Sequence, residues 1–342
     1  MRWRYLARLP AIYGALAGFS QCLVIISTLS LVACATQVAS LRAAADQGDA
    51  EAQNRIGTMY ADGEGVAQSY SEAARWYRAA AEQGFAPAQY SLGVMLDEHH
   101  DGVDGVAQSD EEADRWYRAA AEQGYAPAQY NLGVMLDEHH GVGGVAQSDE
   151  EAVRWYRAAA EQGYALGQYN LGVMLDEGHG VAQNYEEAAR WYRAAAEQGD
   201  ALGQYNLGVG YETGHGVAQD FEEAARWYSF AAEQDIASAQ NNLGVMYDEG
   251  VGVEQDKEKA ARWYRAAAEQ GDALGQFNLG LMYAAGSGVE QDYSMAYAWV
   301  STAVVQRRGA FEVLRDLRQE MTPSQLERAA ELAREYRESF VR

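Results

Sequence analysis

Between residues 50 and 308 the apolar and small residues fall into short stripes of helical period, and the stripes themselves recur. The stretch from Ala165 to Asp200 reads ALGQYNLGVMLDEGHGVAQNYEEAARWYRAAAEQGD. Its first stripe, Ala165, Tyr169, Gly172, Val173 and Leu175, predicts a helix from Ala165 to about Asp176. The turn Gly178-His179-Gly180 follows. A second helix is predicted from about Tyr185 to Gln198, with Tyr185, Ala188, Ala189, Trp191, Tyr192, Ala195 and Ala196 along one side. Gly199 stands just past it, where a left-handed backbone ends helices, and Gly84, Gly124, Gly163 and Gly271 hold the same place. Asp235 breaks that series, which predicts a looser helix end there. Neither helix can bury its stripe alone, so the predicted unit is a helical hairpin.

One tryptophan marks each copy of this unit: Trp76, Trp116, Trp155, Trp191, Trp227, Trp263 and Trp299, spaced by 40, 39, 36, 36, 36 and 36 residues. The copies begin at Ala50, Ala86, Ala126, Ala165, Ala201, Ala237 and Ala273. Recurrence at such a period predicts a solenoid in which each hairpin packs on its neighbours. A glycine also recurs in the middle of every first helix (Gly57, Gly93, Gly133, Gly172, Gly208, Gly244 and Gly280), where it costs about 1 kcal/mol relative to alanine. Close approach by another helix, which a Cβ would block, is the expected reason. The tryptophans and the tyrosines that follow them are expected in the core.

The pattern A-x-x-x-L-G-x-M-Y, then G-x-G-V, then A-x-x-W-Y-x-x-A-A-x-x-G resembles the Sel1-like repeat family, a relative of the tetratricopeptide repeats. The resemblance covers Ala50 to about Arg308. It implies an all-α fold, a right-handed α/α superhelical solenoid of about seven helix-turn-helix repeats closed by a C-terminal helical cap. It also implies an adaptor that binds a protein or peptide and is not a catalyst. The loops of the second and third copies are longer than the family's usual length. Some secreted bacterial relatives carry a disulfide in each repeat, and this chain departs from them.

The ends differ from the array. Arg2, Arg4 and Arg8 precede an apolar run from Ala11 to Ala33 that ends Leu31-Val32-Ala33-Cys34. This resembles a bacterial lipoprotein signal, which implies a lipidated Cys34 as the mature N-terminus, with Ala35 implying outer-membrane sorting and a periplasm-facing protein. The alternative is a retained helix in the inner membrane, because the run of 23 residues is also long enough to span a bilayer. In either case the arginines stay in the cytoplasm and the repeats lie outside it. Residues 1–33 are thus the expected signal or anchor. Residues 34–49 match the second half of a repeat and form an expected half-repeat cap. Residues 50–308 are the array. Residues 309–342 are the expected terminal cap, with Phe311, Leu314 and Leu317 on one helix. A second cap helix starts at the capping box Thr322-Pro323-Ser324-Gln325 and carries Leu326, Ala330, Ala333, Tyr336 and Phe340 on its apolar side.

Charge and chemistry narrow the function. The chain holds 26 basic and 50 acidic residues for a net charge of −24; without the three N-terminal arginines, 23 oppose 50, a charge near −27. Such a body repels nucleic acid and anionic lipid and attracts basic partners. Only Lys257 and Lys259 are lysines, so no G-x-x-x-x-G-K-[ST] phosphate loop and no S-x-x-K hydrolase motif exists. G-x-S-x-G and H-E-x-x-H are absent too, and beyond Cys34 there is no cysteine. An envelope hydrolase, the β-lactamase-like activity attributed to some relatives of the family, therefore finds no nucleophile here. No cofactor is expected.

Two recurrences remain as candidate sites. All six histidines, His99, His100, His139, His140, His179 and His215, follow the first helix of four successive copies beside acidic residues. They could ligate a divalent metal, change the potential of one edge on protonation, or simply form polar turns. The first helices also carry glutamines, Gln53, Gln89, Gln129, Gln168, Gln204, Gln240 and Gln276, with Asn54, Asn131, Asn170, Asn206, Asn242 and Asn278 beside them and Ser91 replacing one. An asparagine both donates and accepts, which suits an extended peptide on the concave face; the competing role is an inter-repeat brace, most of all for the glutamines.

Overall fold

The computed structural model describes residues 38–97, 106–138, 147–303 and 310–339, which form 17 α-helices and no strand. They divide into two compact units at Gln108. The first unit holds α1 (38–46), α2 (Ala50–Asp62), α3 (Tyr70–Ala81) and α4 (Ala86–Asp97). The second holds α5 (Asp110–Glu122), α6 (Ala126–Glu138), α7 (Asp149–Glu161), α8 (Ala165–Glu177), α9 (Tyr185–Glu197) and α10 (Ala201–Thr213). It continues through α11 (Phe221–Glu233), α12 (Ala237–Glu249), α13 (Lys257–Glu269), α14 (Ala273–Ala285), α15 (Tyr293–Ala303), α16 (Ala310–Glu320) and α17 (Pro323–Ser339). Each even-numbered helix from α6 to α14 pairs with the helix after it, and each hairpin packs on the next. The fold is all-α.

Local chemistry sets the helix boundaries. Every second helix from α3 to α13 starts behind a residue whose side-chain oxygen accepts a backbone N–H of the first turn: Ser69, Ser109, Ser148, Asn184, Asp220 and Asp256. The first helices α2, α8, α10, α12 and α14 stop at a glycine in the left-handed region, as at Gly178 with φ 75°. The expected loose end at Asp235 is not found. Asp235 adopts φ 64°, and the Ile236 N–H reaches the Ala231 carbonyl at 3.1 Å, as Asp200 reaches Ala195 in the preceding repeat. Aspartate is among the few non-glycine residues that tolerate this conformation.

The mid-helix glycines seat a tyrosine ring. A Cβ on Gly57, Gly133, Gly172, Gly208 or Gly244 would lie 2.6–2.7 Å from the ring of Tyr77, Tyr156, Tyr192, Tyr228 or Tyr264 on the paired helix. In the last copy Val300 replaces the tyrosine against Gly280. These tyrosines are all buried, whereas among the seven described tryptophans only Trp76, Trp227 and Trp299 are buried. The predicted stripe of α8 is displaced: Gly167, Gln168, Leu171, Gly172, Met174 and Leu175 are buried, while Tyr169 and Val173 are half-buried. The first helices pack on the preceding hairpin and on their own partner, so they have two buried sides.

Both ends of the described chain use the same parts. Ala45 of α1 clusters with Ala52, Ile56 and Trp76. At the other end Tyr336 of α17 stacks on Trp299 with ring centroids 4.0 Å apart. Thr322 and Gln325 close a reciprocal cap, the Thr322 N–H donating to Gln325 Oε1 at 2.8 Å. In the cap helices Phe311 is 62% exposed, and Ala329 rather than Ala330 is buried, one residue from the predicted side. Phe340 lies outside the described residues, as do the signal or anchor of residues 1–33 and Cys34.

Candidate functional site

The glutamine series is a brace between repeats. Each of Gln53, Gln89, Gln129, Gln168, Gln204, Gln240 and Gln276 is buried and donates from Nε2 to the carbonyl of the alanine eight residues earlier, at 3.0–3.3 Å. That carbonyl belongs to the last turn of the preceding second helix. The Oε1 of five of them accepts from a glutamine ending the following second helix: Gln83 on Gln53, Gln162 on Gln129, Gln198 on Gln168, Gln234 on Gln204 and Gln270 on Gln240, at 2.7–2.8 Å. One amide therefore ties three successive helices. The turns add a second tie. Gly216, at φ 74°, lies so close to the Tyr185 carbonyl of the preceding repeat that no Cβ fits, and Gly252 and Gly288 sit likewise on Phe221 and Lys257.

The asparagines occupy a different register and a different environment. Asn131, Asn170, Asn206, Asn242 and Asn278 are each half-buried on a first helix. Asn131 donates to the Tyr117 hydroxyl of the preceding second helix at 3.3 Å. Asn206 lies beside the Tyr192 hydroxyl, and Asn242 beside those of Tyr205 and Tyr228. Asn278 donates to Asn241 at 2.9 Å, and Asn170 to its own helix at Leu166. Asn54 is one residue out of this register; Arg55 takes the position in the first copy. Burial raises the Tyr192 and Tyr228 hydroxyls well above the ordinary phenol range, the acids Asp176 and Glu212 adding to it, so both stay protonated donors.

Around the asparagines the outward side of the first helices is mixed. Leu166, Leu274 and Leu281 are 39–45% exposed, four residues before or three after an asparagine of the series. Exposed apolar side chains thus flank the amides at Asn170 and Asn278.

The two described histidines, His179 and His215, do not converge on one site. His99, His100, His139 and His140 lie outside the described residues. His179 Nδ1 is 3.2 Å from Glu177, both more than half exposed, and His215 stacks on the Tyr185 ring. Among the described residues no three histidine, cysteine, aspartate or glutamate side chains could hold a metal ion. Nor is any described helix long and apolar enough to cross a membrane.

Sequence reading passed over Gly210. The first helices carry a methionine in this register, Met59, Met95, Met135, Met174, Met246 and Met282, and only α10 lacks it. Beside Gly210 a cleft of about 60 Å³ opens between α9 and α10, bordered by Asp176, Tyr185, Tyr192, Asn206 and His215. The break in the methionine series was the signal.

The Sel1 repeat profile matches residues 50–85, 86–125, 126–164, 165–200, 201–236, 237–272 and 273–303. A Sel1 repeat protein from Oxalobacter formigenes is 35% identical over 82% of this chain and 79% of its own, with a TM-score of 0.64. A protective antigen present in uropathogenic Escherichia coli, displaying the same repeat fold, is 31% identical over 88% of this chain and 86% of its own, with a TM-score of 0.32. No curated protein matches the chain.

Proposed function

The chain belongs to the Sel1 repeat family, and from that premise we propose that it is an envelope-anchored adaptor that binds a protein or peptide partner on the outward face of its first helices. Proteins of Sel1 repeats are generally non-catalytic helical scaffolds for protein–protein interaction. The observation that supports the site is the row of Asn170, Asn206, Asn242 and Asn278, half-buried amides 36 residues apart, with exposed Leu166 four residues before the first and exposed Leu281 three after the last. An extended peptide offers donors and acceptors at regular intervals, and asparagine answers both. The excess of acid across the repeats selects a basic partner over a nucleic acid. The turns of His179 and His215 are a polar edge of this scaffold. The Leu31-Val32-Ala33-Cys34 box supports a lipid on Cys34 and an outer-membrane location facing the periplasm.

Two experiments test the parts separately. Intact mass of the protein from a Gram-negative membrane fraction should show loss of residues 1–33 and a lipid that Cys34→Ser removes; a mass retaining Met1 to Ala33 and indifferent to Cys34→Ser would establish a membrane helix instead. Once a partner is identified, Asn170→Ala, Asn206→Ala and Asn242→Ala together should weaken its capture while circular dichroism stays unchanged. Unchanged capture with a large fall in melting temperature would make the asparagines a brace only.

A further inference from the structure

We infer that the cleft beside Gly210 is a socket for the ammonium group of a lysine side chain carried by the partner. This rests on the scaffold reading and names the chemistry that one position of it recognises.

The sister positions Met95, Met135, Met174, Met246 and Met282 are filled by buried, unbranched side chains. At Gly210 that side chain is missing, and the space of about 60 Å³ is left open. A water needs about 10–15 Å³ measured this way, so the space takes a slim alkyl chain. Its floor is the buried Tyr192 and the alanines of α9, while exposed Tyr185 and His215 form the mouth. An unbranched side chain from outside thus has the shape of the one the repeat has lost.

The polar end is set by Asp176, with Asn206 beside it as a second acceptor. Asp176 is half-buried; its carboxyl is faced by the Tyr192 hydroxyl and the His215 ring, with Glu177 next to it on the helix. Burial and the charge of Glu177 hold Asp176 above the ordinary carboxylate range, so a cation beside it would be welcome. The chain itself shows what this acid binds. Asp248 is the register-equivalent residue of α12, and there Lys257 places Nζ 2.6 Å from its carboxylate and 2.7 Å from its carbonyl oxygen. Lys257 opens α13; in α9 the opening residue is Tyr185, which supplies no ammonium. In one repeat an acid at the end of the first helix already holds a lysine of the chain, and at Gly210 the same acid borders an open cleft with no lysine of its own. An ammonium brings three donors to this acceptor-lined pocket, and the narrow slot disfavours the broad planar guanidinium.

The test uses the whole protein and a blocked pentapeptide, Gly-Ser-Lys-Ser-Gly, with norleucine and arginine versions, titrated by amide-resolved NMR. Binding of the lysine peptide should saturate with a Kd of about 1 mM, near −4 kcal/mol, as befits a single side chain. Asp176→Asn and Gly210→Met, the latter filling the socket with the residue of its sisters, should each weaken it by about tenfold or more. A Cβ at Gly210 would stand 3.2 Å from the His215 carbonyl oxygen, so folding of Gly210→Met is checked by circular dichroism, and Asp176→Asn decides if that variant does not fold. Equal binding of the norleucine or arginine peptide, unweakened binding by Asp176→Asn, or no saturation at about 10 mM would overturn the inference. If a partner crosslinks to the first helices while the lysine peptide fails, the socket falls and the scaffold stands. If the peptide binds and no partner crosslinks, the reverse holds.

Discussion

Replacing Gln204 with leucine should weaken the array at one joint. The side chain keeps its bulk and loses its amide. Two hydrogen bonds go with it: Nε2 to the Ala196 carbonyl at 3.2 Å and the acceptor for Gln234 Nε2 at 2.8 Å. Neither old partner is wholly stranded, because the Gly199 N–H also reaches the Ala196 carbonyl and Gln234 also donates to the Gly199 carbonyl. Two net hydrogen bonds at about 1 kcal/mol each put the loss near 2 kcal/mol. At about 2–4 °C per kcal/mol for a chain of this size, the melting temperature should fall by about 4–8 °C. Because stability in a repeat array is a sum of repeats and interfaces, the transition by circular dichroism should also broaden or split, the joint between α9 and α10 having been uncoupled. Gln234→Leu leaves the bond to Ala196 intact but removes two of its own, to Gln204 Oε1 and the Gly199 carbonyl, so it should cost about 2 kcal/mol as well, and the double variant should cost less than the two singles summed, with a coupling of about 0.5–1 kcal/mol. A loss below about 0.5 kcal/mol for Gln204→Leu, the ordinary range of a surface change, would refute the brace.

Gly208→Ala should destabilise by about 1–3 kcal/mol in chemical denaturation although alanine favours helix, because its Cβ would lie 2.7 Å from the Tyr228 ring. Asp235→Gly should be neutral or stabilising while Asp235→Ala costs about 1 kcal/mol relative to it, since the left-handed turn at φ 64° penalises a Cβ without a compensating polar group. Burial raises Asp200 and Asp272 above the ordinary carboxylate range, so their charged forms oppose folding as pH rises through the shifted values. Asp200→Asn with Asp272→Asn should therefore melt higher than the parent at pH 7, and the gap should close toward pH 4, about the value of an unfolded aspartate; a constant gap would assign the effect to something other than titration.

Much of this was legible because it is local. Serine, asparagine and aspartate before the second helices and glycine after five of the first helices act within one turn of backbone, and the sequence carries them openly. The mid-helix glycines announced a close approach, though the ring that fills each notch sits on the paired helix. The buried side of α8 was misplaced because a helix covered on two flanks has no single stripe; Gln168 lies in the core beside Leu171, a place no periodicity assigns to an amide. Its role depends on Ala160 and Gln198, eight residues before and thirty after it, which only stacking brings together. Asp235 misled because its aspartate adopts the glycine conformation with its hydrogen bonds intact. Gly210 was visible as an exception in a series, but an exception acquires meaning only when the void beside it has walls.

The adaptor reading is tested most directly by photo-crosslinking in the native envelope. A photoreactive residue replaces Leu166, Leu274 or Leu281 on the first helices, and in parallel Arg190, which is exposed on the second helix α9. The account predicts one discrete adduct, shared by the first-helix positions and absent at Arg190, that disappears when Asn170, Asn206 and Asn242 are replaced. Adducts at Arg190 with none at the three leucines would contradict it.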